Sequence, residues 1–161
     1  MLERFARPRV AYAAVAVVAL IVVVLSGRHW YAQHRLEAAH QAALAAAKQT
    51  TIDFVSISAA SVDRDLQRIA AEATGDFKEE FTRGIPQVRT AVVENKVSST
   101  GSILRAGLVS GDLDSAVVLV ALDATVHNAN APDGRLSHYR IQVDLALDSG
   151  HWLVSRLQFV G

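Results

Sequence analysis

The most one-sided stretch of the chain is the run Val10 to Leu25, VAYAAVAVVALIVVVL, which holds no charge and only Tyr12 as a polar residue. With Ser26 and Gly27 it reaches 18 residues, or roughly 27 Å as a helix against a hydrocarbon core about 30 Å thick. The pattern predicts a transmembrane helix over residues 10–27, with Val10, Val17, Leu20, Val24 and Leu25 among its apolar anchor positions. Trp30 and Tyr31 follow directly, where amphipathic rings settle at headgroup level. Arg4, Arg7 and Arg9 precede the run, and Arg28 and Arg35 follow it. The balance favours residues 1–9 as a cytoplasmic N-terminus and places the rest on the extracytoplasmic side of the cell (inner) membrane, in a single-pass arrangement. The competing assignment is a signal peptide cut at Gly27 after the small residues Val24 and Ser26. Against it, the run is long for a signal core, and helix-forming residues continue past Gly27 without a break.

Beyond the anchor the periodicity changes twice. Gln33 to Ser56 contains no Gly or Pro and is dominated by alanine, the best helix former. Its apolar content is weak before Leu44 and stronger at Leu44, Ala47, Thr51, Phe54 and Val55, spaced at three to four. Residues 28–46 therefore read as a helical stalk and 47–161 as the folded domain. Alanines such as Ala39 and Ala43 permit close backbone approach, so the stalk is either a surface for a partner helix or a solvated spacer. A short helix is expected after Ser61 as N-cap, with Leu66, Ile69 and Ala70 inward and Gly75 as left-handed cap. A third helix opens at Asp76, with Phe77, Phe81 and Ile85 on one face and a kink or break near Gly84-Ile85 caused by Pro86. Four strands follow: Val97–Gly107 with a bulge or bend at Gly101, Ser115–His127, Tyr139–Leu147 and Trp152–Val160. Asn128–Arg135 reads as a loop, and Asp148-Ser149-Gly150 as a tight hairpin. In the last strand neither alternating face is cleanly apolar. Helices first and strands afterwards make an α+β domain with a mostly antiparallel sheet.

Composition narrows the chemistry. The 161 residues carry 16 basic and 16 acidic side chains and no cysteine. A neutral chain offers no basic face for nucleic acid, and thiolate sites and disulfides are excluded. His29, His34 and His40 are spaced five and six apart, off the i, i+4 spacing of a helical metal pair. His127 and His138 flank the expected loop and could approach across a hairpin, without an evident third ligand. Asp123, Asp144 and Tyr139 are the candidates for a carboxylate base and a donor in an apolar cavity. Asp144 alternates away from the apolar face of its strand, however, and Asp123 closes the central strand. No Ser-His-Asp set, phosphate loop or dinucleotide fingerprint is legible. The chain is expected to be non-enzymatic, without metal or cofactor. Arg156 lies within the last strand and is either a solvated side chain or an anchor at a protein interface.

Five segments in order carry a resemblance: the anchor with its Ala/Thr-rich helix; Val62-Asp63-Arg64-Asp65-Leu66; Ala73-Thr74-Gly75-Asp76-Phe77-Lys78-Glu79-Glu80-Phe81; Ala116-Val117-Val118-Leu119-Val120-Ala121-Leu122-Asp123 leading to Val126-His127-Asn128; and Asp148-Ser149-Gly150-His151-Trp152-Leu153-Val154. Together they resemble the Mce-associated membrane proteins of mycobacteria and related actinobacteria. The resemblance implies a cone-shaped nuclear-transport-factor-2-like (SnoaL-like) domain of three helices against a curved sheet. It implies an accessory or stabilising subunit of an Mce-type lipid or sterol import complex, with Mce proteins and permease subunits as partners. Two other functions fit the same fold: a lipid- or sterol-binding module whose cone pocket is lined by Phe77, Phe81, Val118 and Val120, and a SnoaL-type enzyme. Within the first class, the similar domain of type IV secretion scaffolds is a further possibility. A monomer inside a larger complex and a homodimer through the sheet fit equally well.

Overall fold

The computed structural model describes the backbone of residues 6–161, and the side chains at Ser26, Arg28 and from Trp30 onward. The chain divides into two compact units between Ala38 and Ala39. Helix α1 (Ala6–Val55) is followed by α2 (Val62–Ala71), α3 (Gly75–Glu94) and four strands, β1 (Ser98–Gly111), β2 (Ser115–Asn128), β3 (Ala131–Asp148) and β4 (His151–Phe159). The strands form one antiparallel sheet in the order β1-β2-β3-β4. The expected order of three helices and four strands is therefore present.

Among the described residues no helix is long and apolar enough to cross a membrane. The side chains of the expected span, Val10, Val17, Leu20, Val24 and Leu25 included, lie outside the described residues. Trp30 and Tyr31 are described and exposed, and the Trp30 ring meets His34 edge-on at 4.2 Å.

The second unit begins at Ala39, upstream of the domain start expected at 47. Ala43 and Ala47 are fully buried against Val118, Val120, Leu122, Ile141, Val143 and Val154 of the sheet. Ala43, expected either on a surface for a partner helix or on a solvated spacer, is thus part of the domain's own core, and the half-buried Ala39 adjoins it. The reason is spacing: Ala43, Ala47 and Thr51 recur every fourth residue, and their small side chains let the helix backbone lie close to the β-branched sheet face. A second cluster gathers Val62, Leu66 and Val92 with Ile57, Phe81 and Ile85.

Four local expectations change. Pro86 stays inside a continuous α3, so of the expected kink or break the break is absent; one amide donor is lost, and the packing of Phe81 and Ile85 helps to hold the helix together. Ser61 occupies the N-cap of α2, but its hydroxyl donates to the Asp65 carboxylate (2.6 Å) and caps no amide. Gly75 has the expected left-handed conformation but opens α3 instead of ending α2. Ala131 and Arg135, expected as loop, already pair with Asn128 and Val126 of β2, with Pro132 to Gly134 in an irregularity between them. Asn128 Oδ1 accepts the amides of Asn130 and Ala131, both at 2.9 Å, so the reversal needs only Ala129 and Asn130. The tight β3–β4 connection is present, with Ser149 and Gly150 at φ 50° and 83°, as a two-residue hairpin turn requires.

The ambiguous last strand has a structural cause. Asp144 pairs with Arg156 and Leu145 with Val154, so Ser155 is an extra residue in a β-bulge. The bulge reverses the alternation, and Trp152, Val154, Leu157 and Phe159 all face the side of Ile141, Val143 and Leu145. In β1 the bulges fall at Leu104 and Val109, not at Gly101. Gly101 instead allows close approach: a Cβ there would collide with Val55 Cγ2 at the end of α1.

Candidate functional site

Three places in the second unit have the surroundings of a site: the space between helices and sheet, a cleft beside the β3–β4 hairpin, and the outer face of the sheet. The first is filled by the chain itself. Val118 and Val120 are 0% and 1% exposed in the main core, Phe77 packs on that core, and Phe81 packs on the second cluster. The four residues expected to line a pocket therefore divide between two packed clusters. Phe77 and Phe81 do meet, with ring centroids 6.1 Å apart, and continue through Phe54 and Phe159 to Tyr139 as a series of neighbouring rings.

The cleft has a volume of 610 Å³ and is lined by Ala42, Ala46, Thr50, Glu72, Trp152 and the hairpin backbone, among others. Behind it lies a polar cluster that sequence reasoning missed. Asp53 and Asp65 are buried, and Arg68 reaches both, its Nε 3.1 Å from Asp53 and Nη2 3.3 Å from Asp65. The Nε–H does not aim at Asp53 as a hydrogen bond, so that contact is mainly coulombic. Gln49 donates to Asp53 (3.0 Å). Burial pushes the Glu72 carboxyl above the usual carboxylate range, against a hydrogen bond from Thr50 that lowers it, and the neighbouring Asp53 raises it further. The signal available in the sequence was the helical spacing Gln49–Asp53, but nothing local linked it to Arg68 and Glu72. Among the described residues no group of three His, Asp or Glu side chains is placed to hold a metal.

On the outer face, the catalytic candidates separate. His138 Nδ1 lies 2.5 Å from Asp123 Oδ1, while the His127 ring rests against Gly134. Asp144 accepts from Gln142 (2.9 Å) and lies 3.9 Å from Arg156. Tyr139 pairs with the buried Leu122 and meets Phe159, on the opposite face from Asp123 and Asp144. Arg156, expected either in solvent or at an interface, has its side chain 64% exposed. The same face carries a groove of 370 Å³ lined by Arg105, Gly107, Leu119, Ala121, Arg140 and Val160, among others.

Residues 7–161 match the family described as "Uncharacterized protein Rv1363c/MT1408-like". The chain belongs to the Rv1363c/MT1408-like family. Two curated relatives from Mycobacterium tuberculosis are similar to it. Uncharacterized protein Rv1363c is 28% identical over 159 residues, covering 95% of this chain and 61% of its own length. Uncharacterized protein Rv1362c is 31% identical over 121 residues, covering 73% and 54%. The chain thus spans little more than half the length of these relatives. Among solved structures, an IcmL-like type IV secretion system protein from Legionella pneumophila superposes with a TM-score of 0.61 at 12% identity, over 73% of this chain and 88% of the other. The periplasmic domain of DotI gives 0.61 at 15%, over 73% and 91%. An Ntf2-like protein involved in plasmid conjugation gives 0.51 at 14%, over 76% and 49%. These likenesses show the fold, and this member of the Rv1363c/MT1408-like family has a nuclear-transport-factor-2-like domain.

Proposed function

We propose that the protein is a non-enzymatic accessory or stabilising subunit of a cell-envelope complex, anchored through residues 10–27 and working by protein–protein contact. The complex is of the Mce lipid-import type, with Mce proteins and permease subunits as partners; this finer assignment rests on the ordered sequence segments that resemble the Mce-associated proteins. The observation that carries the reading is the filled interior. Enzymes and lipid binders on this kind of scaffold need an open space between helices and sheet; here its centre is packed by the buried Ala43, Ala47, Val118 and Val120 with Phe77 against them, and the 610 Å³ cleft lies apart from it at the β3–β4 hairpin. What remains for function is the surface. The type IV secretion and periplasmic descriptions of proteins with the same fold support an envelope setting. The test is affinity purification of the tagged full-length protein from its own cells under mild detergent, with mass spectrometry of proteins and lipids. Co-recovery of Mce or permease subunits is expected. Recovery of the protein alone with a stoichiometric lipid would overturn the reading in favour of a lipid-binding module.

A further inference from the structure

Four adjacent rows of side chains cross the middle of the sheet's outer face. Ser102, Asp123 and His138 form one row, and Arg105, Ala121 and Arg140 the next. Gly107, Leu119, Gln142 and Gln158 form the third, and Ser110, Val117, Asp144 and Arg156 the fourth. The first and fourth of these rows each hold a side-chain pair of their own, His138 with Asp123 and Arg156 with Asp144. The second row holds none. Arg105 and Arg140 stand on either side of Ala121, and among the described residues neither guanidinium has an ion pair or hydrogen bond within the chain. Strand spacing sets their Cα atoms about 10 Å apart, and only a methyl group separates the two long side chains. Next to them Leu119 is 43% exposed beside Gly107, which leaves the groove open above it.

We propose that this face docks a segment of a partner protein in which an apolar side chain lies beside an aspartate or glutamate. The apolar side chain fills the groove over Leu119, Gly107 and Ala121, and the carboxylate is held between Arg105 and Arg140. Two guanidiniums suit a carboxylate because each presents a planar fork of donors, and arginine beside a desolvated apolar contact is the usual composition of an interface centre. The dimensions favour a protein segment over a lipid. The apolar surface here is interrupted: Leu119 and Val160 line the groove, and Leu104 and Val109 bulge out singly on β1, next to Arg105 and Ser110. Single apolar side chains spaced between polar ones suit the alternating side chains of a peptide, where an acyl chain needs continuous apolar surface. This inference deepens the accessory-subunit reading and rests on it.

The experiment places the photo-crosslinker benzoyl-phenylalanine at position 119 of the tagged full-length protein in its own cells, with position 78 on α3 as control. The expected result is a crosslink from position 119 to a partner segment containing Asp or Glu beside an apolar residue. Its yield should fall at least about tenfold in Arg105→Glu/Arg140→Glu, as loss of a desolvated charge pair predicts. It should fall also in the milder Arg105→Gln/Arg140→Gln, with an unchanged thermal melt. Replacing the partner's acid by arginine should restore the crosslink to the Glu variant. If the partners co-purify but position 119 stays silent, or both variants crosslink as the wild type, the docking face is overturned while the accessory role stands. A crosslink to lipid overturns it in favour of membrane contact. If no partner co-purifies at all, both readings fall together.

Discussion

At the scale of single residues, three side-chain environments make distinct predictions. Gly101 lies where β1 passes the end of α1, and its amide donates to Ser56 Oγ at 3.0 Å. Gly101→Ala forces a methyl into Val55, and overpacking of this kind costs about 1–3 kcal/mol; a urea titration should show a lower midpoint with an unchanged slope. Arg68 holds two buried carboxylates, and Arg68→Met leaves both without their cation. The expected loss is about 3 kcal/mol, since removing one partner of a buried ion pair strands the other, and calorimetry checks it. Glu72 runs opposite to most carboxyls. Its folded pKa is raised, so the folded state holds the proton more tightly than the unfolded one. Its contribution is complete below the unfolded value and is lost as pH rises through the folded one. Asp63, lowered chiefly by its hydrogen bond from Arg89, and Asp112, lowered chiefly by the amides of Asp114 and Ser115, contribute at neutral pH and lose that as acid protonates them. Glu72→Gln should therefore raise the melting temperature at pH 7.5 and not at pH 4. The group is half-buried, and the solvent that still reaches it screens the charge, so the gain should stay below about 1 kcal/mol. A gain of equal size at both pH values would remove burial of the charge as the cause.

Elements were legible where period and turn chemistry agreed. The alternation of Ile141, Val143 and Leu145 and the Ser149-Gly150 turn could be read directly, because the side-chain period of a strand and the positive φ of a primed turn are local demands. The last strand was not, because a bulge shifts the period by one residue without a local signature. The same holds for β1, where Leu104 and Val109 look like core residues and are 56% and 59% exposed. Deletions in β4 separate these cases. Removing Ser155 erases the bulge but keeps Trp152, Val154, Leu157 and Phe159 inward. It should cost about 1 kcal/mol, roughly the one hydrogen bond its hydroxyl gives to Asp144 O. Removing Leu153 moves Ser155 into Val154's core place. That should cost about 3 kcal/mol or more from lost apolar burial and a buried hydroxyl. Comparing the two melts decides whether the bulge is the register-setting feature.

For the molecule as a whole, the domain boundary depends on contacts distant in sequence. Alanine content alone made residues 28–46 look like one stalk, since a buried alanine and an exposed one read alike. Only the sheet opposite assigns Ala43 to the core. A fragment beginning at Ala39 should unfold cooperatively, and one beginning at Lys48, which lacks Ala43 and Ala47, should lose that transition by circular dichroism. The outer-face row of Arg105, Ala121 and Arg140 was equally hidden, because it joins three strands through register. The segments linking the helices tie both edges of the sheet. Ser58 bridges Ser98 on β1, with Ile57 O accepting the Ser99 amide at 2.9 Å. On β4, Val154 exchanges hydrogen bonds with Glu72 and Thr74 at 2.8 and 2.9 Å. These two short tethers occupy the start of β1 and the middle of β4, shortening the free edge that another chain could pair with. Loosening either leaves the helices intact but lengthens the free edge on which a second copy can pair. Substitutions in residues 56–59 or 72–74 should therefore damage the protein first through self-association, before its helix content falls.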